Sequence, residues 1–321
     1  MHSINRLLRI VGLQVIRVPT LGRVPASGDT RSSATDRTRV GVLDIMIPPS
    51  NPLFSTYRKN PDLMSELGRI ASQVYAKYPG ALCVDVGANI GDTAAIIRSA
   101  CPAPIVCVEG DRSTAEVLVK NAEVIGNVTV KQTYLSDSSG TQQMAISKEG
   151  WNSTLLPSEL TSSAHTVTFL TLDEALRDLD THLIKLLKVD TEGYDGRVLR
   201  GSQRILQTSR PVVLFEHNRE NLCDLGEDGL DVFENLRVCG YKAALFWENR
   251  GRFMLRTTLD DTALIDDLHH YVDRQGQPPG SVHYLDVCAF HEQDEDLAEK
   301  CLAGEREARD KRRTSGPPVR C

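Results

Sequence analysis

An apolar run, Ala81 to Val86, passes directly into the glycine-containing stretch Gly87-Ala88-Asn89-Ile90-Gly91-Asp92-Thr93, and a second apolar run, Ile105 to Val108, ends on Glu109, eighteen positions after Gly91. Few folds accept that order. Glycines where a strand gives way to a helix let a ligand approach the backbone, and a carboxylate at the tip of the next strand can accept both hydroxyls of a ribose. Strand, glycine turn, helix, strand and acid predict an adenosine-binding unit.

The rest of the middle of the chain continues that pattern. Strands are expected at Ala81 to Val86, Ile105 to Val108, Val128 to Thr133, Leu183 to Val189, Val212 to Phe215, Lys242 to Phe246 and Tyr284 to Ala289, with helical stretches between them. That alternation predicts a doubly wound, mostly parallel, seven-stranded α/β sheet covered by helices on both faces. Leu63, Leu67, Ile70 and Val74 recur at helical intervals within Pro61 to Tyr78, before a Pro79-Gly80 break. An insertion carries two further strand-like segments, Gln143 to Ser147 and Thr166 to Leu170, around a polar loop at Trp151. The closing portion, with Gly251 and a Gly-Gln-Pro-Pro-Gly stretch, suits a hairpin at the sheet edge.

Both ends differ from this middle. INRLLRIVGLQVIRV alternates apolar and basic residues, and Arg6, Arg9 and Arg17 interrupt any run long enough to span a bilayer; the expectation is a docking or poorly ordered helical arm, with peripheral contact to an anionic membrane surface as the alternative. Thr20 to Thr38 reads as a linker, and the segment after Glu292 as a charged C-terminal tail. The expected division is therefore 1–60 for arm and linker, 61–291 for the catalytic domain and 292–321 for the tail. The net charge of -6 gives no general attraction to nucleic acid. None of the eight cysteines stands at Cys-x-x-Cys spacing, and Cys83, Cys107 and Cys288 lie in apolar runs, which suits a reduced, cytoplasmic setting. The sequons at Asn127 and Asn152 carry no weight without secretion.

Charge separates the two cofactors that such a turn could hold. A dinucleotide fingerprint wants glycine at the positions of Gly87, Asn89 and Asp92, because pyrophosphate must touch the backbone there. Here two of the three are Asn and Asp, and Asp92 would set a carboxylate against pyrophosphate. S-adenosylmethionine brings a sulfonium and an ammonium, which Asp85 and Asp92 match. Asp92 could equally cap the helix.

The segments DVGANIGDT, VEGDRSTAEVLVKN, YLSDSSG, TLDEAL, LIKLLKVDTEGYDGRVLRG and VVLFEHN, in this order and spacing, resemble the FkbM-type methyltransferase domain over roughly Leu82 to Asn218. The resemblance implies a class I methyltransferase, Rossmann-like in fold. It also implies that Asp85, Gly87, Asn89 and Gly91 line the methionine end of S-adenosylmethionine, that Glu109 holds the ribose, and that Ser136 and Asp137 lie beside the adenine. Two positions depart from the family pattern: Gly110 stands where Pro is common, which loosens the expected ribose loop, and Asp195 stands where Glu is common.

A hydroxyl acceptor must lose a proton as it accepts a methyl group. Asp190 and Glu192 follow the fourth main strand, and Glu216 and His217 the fifth, at the ends where ligands of open α/β sheets bind. In extended chain Asp190 and Glu192 point to one side. Glu192 is the expected general base, with Asp190 beside it and His217 as the alternative. Asn152, Ser153 and Thr154 of the polar loop, with Glu216, are expected at the acceptor, and Trp151 could stack on a sugar. Structural readings compete: capping acids, an internally bonded histidine, a turn with an anchoring aromatic. Mg²⁺ on these oxygens would acidify a hydroxyl, but their spacing is not diagnostic and no metal is assigned. The reaction so read is O-methylation of a small-molecule or sugar hydroxyl, the glycan precursor being what the resemblance implies. An NAD-dependent oxidoreductase and a non-catalytic donor-binding domain in a glycan-assembly complex are the rivals.

Overall fold

The computed structural model describes residues 36–149, 152–157, 165–272 and 281–315. The basic N-terminal arm, Trp151, the Gly-Gln-Pro-Pro-Gly stretch and the last six residues lie outside the described residues. A hairpin of β1 (Arg37–Val40) and β2 (Leu43–Met46) leads to α1 (Pro52–Lys59), which opens with Pro after Asn51, whose side chain accepts the Leu53 N–H. Helix α2 (Ser65–Lys77) buries Leu67, Ile70, Ala71 and Val74 on one stripe. Two strand–helix units follow: β3 (Leu82–Val86), α3 (Asp92–Ala100), β4 (Ile105–Glu109), α4 (Arg112–Ile125) and β5 (Val128–Gln132). All five residues of β3 are buried, the mark of a parallel strand covered on both faces. Asp111 caps α4 by accepting the Thr114 N–H.

The insertion is a separate small sheet. Its strands are β6 (Tyr134–Leu135), β7 (Gly140–Glu149), β8 (Asn152–Pro157) and β9 (His165–Leu170), in the order β6-β9-β7-β8. The main sheet resumes with β10 (Ile184–Val189), α5 (Asp195–Arg200), β11 (Val212–His217), α6 (Asp231–Val238), β12 (Tyr241–Glu248), β13 (Arg252–Thr258), α7 (Thr262–Tyr271) and β14 (Leu285–His291), and the described chain ends in α8 (Glu295–Ser315). Among the described residues the main sheet runs β13-β12-β14-β11-β10-β3-β4-β5, parallel from β5 to β11 and antiparallel beyond. The chain leaves β3 toward β5 and returns at β10, so strand order reverses between β3 and β10, where open α/β sheets bind ligands. Val84, Leu187, Val213 and Phe215 pack on one face of this sheet, and Cys83, Leu186, Leu214 and Cys288 on the other.

The fold is the doubly wound α/β sheet that the sequence implies, with three differences. It has eight strands instead of seven, because Arg252–Thr258 folds back on β12 as the edge hairpin. The insertion has two additional strands, because Tyr134–Leu135 pairs with β9 and Asn152–Pro157 pairs with β7 instead of forming a loop. The packed unit also extends beyond 61–291. Val40, Ile45, Ile47 and Tyr57 are buried, and Asn121 of α4 ties Met46 down through both its backbone N–H and its carbonyl. Leu297, Ala298, Cys301 and Leu302 form a buried stripe of α8 in the same cluster as Leu67 and Ile70 of α2, so one face of this segment belongs to the core and the segment is not a wholly solvated tail. Arg69 clamps that contact, donating to both oxygens of the buried Glu305 at 2.7 and 2.9 Å. No helix among the described residues is long and apolar enough to cross a membrane.

Glu66, in the first turn of α2, is buried, and burial pushes its carboxyl up to about 7 against the pull of Arg69. An acid raised in the folded state holds its proton more tightly there than in the unfolded chain, so its contribution to stability falls as pH rises from about 4.5 to about 7. Glu66→Gln is therefore expected to gain on the order of 2 kcal/mol relative to the parent between pH 4.5 and pH 8, read from denaturant unfolding at the two pH values. A pH-independent difference would show that Glu66 does not titrate in this window.

Candidate active site

A cavity of about 310 Å³ opens at the carboxyl ends of β3, β4, β10 and β11, the reversal point of the sheet. Gly87 lines it with φ +69°, and a Cβ there would lie 1.7 Å from the Asp190 carbonyl oxygen, so only glycine lets the β3 turn meet the β10 turn. Glu109, at the tip of β4, accepts the Asn89 N–H at 2.9 Å and the Asp111 N–H at 2.8 Å. Burial pushes its carboxyl up to about 7, and these two N–H groups oppose the rise.

Below the turn lies a row of charge on one face of the sheet. Asp85 of β3 and Lys188 of β10 are register partners, and both are almost wholly buried. The Lys188 Nζ stands 3.2 Å from Asp85 and 3.4 Å from Asp190, and donates to the Gly87 carbonyl at 3.4 Å. Burial alone would lower the ammonium pKa, but Asp85, Asp190 and Asp92 raise it on balance and keep it charged. Thr93 donates to Asp85 at 2.6 Å. Asp92 stands at the first residue of α3, lines the cavity and accepts the Tyr57 hydroxyl at 2.8 Å. Gly91, in the left-handed region, takes the N-cap position, and Asp92 follows it as the first residue of the helix.

Asp190, Thr191, Glu192 and Glu216 also line the cavity. Asp190 and Glu192 reach it although the chain is no longer extended there: Glu192 has φ +53° and Gly193 φ +100°. A non-glycine residue in that region stores strain of order 1–3 kcal/mol, which recurs at functional sites. Asn221 donates to Glu192 at 3.3 Å. Asp195, whose purpose the sequence left open, staples this loop to β11: it accepts the Thr191 N–H and hydroxyl at 3.1 and 2.9 Å and the Glu216 N–H at 3.2 Å. Burial, with Asp190 next, pushes Asp195 up to about 7. Glu216 is raised well above the ordinary carboxylate range by burial, then by Asp190, Glu192 and Asp195.

Other expected site residues stand elsewhere. His217, the alternative base, does not line the cavity, because successive strand residues face opposite sides and Glu216 takes the cavity side. Its Nε2 lies 3.0 Å from the His269 Nδ1, its ring packs on Phe233, and burial pushes its pKa down to about 3. Ser136 and Asp137 are likewise not cavity residues: they follow β6 of the small sheet, Ser136 is buried, and Asp137 pairs with Arg200 at 3.3 Å. Gly91 faces Leu118 of α4, and Asp85 acts from beneath through Lys188 and Thr93. Asn152 and Ser153 lie on β8, opposite Glu149 and Lys148, while Trp151 is outside the described residues. Among the described residues, no group of three or more His, Cys, Asp or Glu side chains is arranged to hold a metal ion.

Sequence reading missed Lys188, Tyr134, Leu53, Leu63, Met64 and Tyr284, all of which line the cavity. Lys188 alone carried a signal, a lysine inside an apolar strand run. Tyr134 explains Gly110: a Cβ there would lie 2.1 Å from the ring, so the glycine is packed and the ribose loop is not loose.

A reversal-point cavity with a glycine turn and a ribose-height acid defines a nucleotide-cofactor enzyme of the doubly wound class. Residues 85–243 match the model of the methyltransferase FkbM domain, and that part of the chain is an FkbM-family methyltransferase domain. No curated protein matches the chain. Among solved structures, an FkbM methyltransferase from Methylobacillus flagellatus KT is 16% identical over 52% of this chain, with TM-score 0.37, and the match spans 39% of that protein's length. A putative O-methyltransferase from Klebsiella pneumoniae is 12% identical over 70% of this chain and 79% of its own, with TM-score 0.36. TYW2 of P. horikoshii, solved with MeSAdo, is 13% identical over 80% of this chain and 72% of its own, with TM-score 0.38.

Gly110→Ala is expected to cost about 1–3 kcal/mol by overpacking against Tyr134. Tyr134→Ala in the same chain should recover most of that loss in a thermal unfolding double-mutant cycle, and additive effects would place the strain elsewhere.

Proposed function

We propose that this chain is an S-adenosylmethionine-dependent O-methyltransferase that acts on a hydroxyl of a glycan precursor or other small molecule. The observation that carries the donor is the charge at the glycine turn: Asp85, Asp92 and Asp190 surround the single Lys188, an excess of acid that suits a sulfonium and an ammonium and opposes a pyrophosphate. Gly87 lines the cavity at the same turn, and Glu109 stands at the cavity with its carboxylate oriented by two N–H groups.

Glu109 would hold the ribose hydroxyls, with Thr133, Tyr134 and Leu135 beside the base and Asp92 and Asp190 at the methionine end. When bound, the donor supplies a methyl group on a sulfur that is already a good leaving group. The protein's work is then to align the acceptor oxygen and take its proton. Glu192 accepts that proton. Glu216, whose carboxyl is raised well above the ordinary range by burial and then by Asp190, Glu192 and Asp195, is the hydrogen-bond donor to the acceptor in this reading, so two neighbouring acids divide the roles through their surroundings. A proton acceptor beside a hydrogen-bond donor supports a hydroxyl acceptor, and the family resemblance supports the glycan.

Calorimetric titration with S-adenosylmethionine, S-adenosylhomocysteine and NAD tests the donor. The first two should bind, and Glu109→Ala should weaken both at least tenfold. NAD binding alone would overturn the reading. Donor affinity should rise with pH through about 7, as Glu109 ionises into a full acceptor, and the rise should vanish in Glu109→Gln. Glu192→Gln should leave donor affinity within about twofold and cut transfer to a sugar acceptor by roughly 10²–10⁴. Intact transfer would remove Glu192 as base.

A further inference from the structure

The strand order lays the cavity out as a line. Glu109 ends β4, Gly87 follows β3, Asp190 and Glu192 follow β10, Glu216 belongs to β11, and Tyr284 precedes β14; these strands are consecutive neighbours in the sheet. With the donor at the β4 and β3 end, as proposed above, the acceptor occupies the β11 and β14 end. There the wall changes character. Tyr284 lines the cavity close enough to Glu216, Asp190 and Glu192 for their charges to act on its hydroxyl, which is bonded to the Asn249 carbonyl at 3.3 Å.

Leu63 and Met64 line the cavity just before α2, whose Glu66 reaches the turn at Gly251 on this same side of the sheet. Leu53 joins them from α1, one turn before Tyr57, which is bonded to Asp92. Leu53, Leu63 and Met64 pack against the core cluster on one side and stay partly exposed on the other. Met64 also holds φ +55°, an unfavourable backbone for a residue without a short polar side chain. All four wall residues fall outside the family-matched span 85–243.

We infer that the acceptor is an amphiphilic alcohol: a hydroxyl presented to Glu192 and Glu216 by a molecule that carries an apolar group, which lies against Leu53, Leu63, Met64 and Tyr284. This inference rests on the donor reading above. A fully polar sugar would leave that wall in water and gain nothing from it, whereas an alkyl or ring substituent beside the hydroxyl removes apolar surface from water on both partners.

The test uses the full chain saturated with S-adenosylhomocysteine, titrated calorimetrically with methyl β-D-glucoside and with n-octyl β-D-glucoside below its micelle-forming concentration. The two probes offer the same ring hydroxyls and differ in the apolar group. The octyl compound should bind at least tenfold more tightly. Met64→Ser should reduce that preference at least fivefold while leaving S-adenosylhomocysteine affinity within about twofold, and Leu63→Ser provides the same reading should the first variant not fold. Equal affinities, binding of neither glucoside, or an octyl preference untouched by both substitutions overturns the inference. Failure of the parent chain to bind S-adenosylhomocysteine in the preceding titration overturns the donor reading instead.

Discussion

The buried ion pair between Lys188 and Asp85 is the constraint around which the site is organised. Two charges on adjacent parallel strands, both almost wholly out of water, are tolerable only because each faces the other and Asp190 and Thr93 complete their contacts. The same ammonium reaches the Gly87 carbonyl, so the pair also ties the β3 turn to the β10 turn at the point where the sheet reverses direction. Gly87 makes that approach possible, and a side chain there would push the turns apart. Geometry at the cavity floor and charge at the cavity floor are thus one property.

A second tie works one strand further along. Asp195 holds the loop after β10 against the start of Glu216 on β11, and so fixes the distance between the acid assigned to take a proton and the acid assigned to keep one. Lys188 and Asp195 together make the ends of β3, β10 and β11 a single rigid rim, while the walls above it are partly exposed apolar side chains from α1 and the approach to α2.

The rim was legible in the sequence and the walls were not. Asp85, Gly87, Glu109, Asp190 and Glu192 announce themselves because each sits at a strand end, where apolar periodicity stops and a polar or glycine residue is conspicuous. His217 looked equivalent to Glu216, since only the facing of a single strand residue separates them. Leu53, Leu63, Met64 and Tyr284 look like ordinary core residues, and their place at the cavity follows from contacts between segments far apart in the chain. The stripe Leu297, Ala298, Cys301 and Leu302 was hidden by the charged residues on the other face of α8, whose composition dominates any window long enough to suggest a helix.

That stripe has a consequence for how the molecule comes into being. The apolar face of α2, with Leu67 and Ile70, shares one buried cluster with α8, and Arg69 meets Glu305 across 236 residues of chain. During synthesis from the N-terminus, α2 and the strands after it must wait with that face unmatched until nearly the whole described chain has emerged. Closure of so long a loop is slow as well as late. The contact that seals the outer layer cannot form before α8 has been synthesised, and until then the stripe of α2 lacks one of its partners.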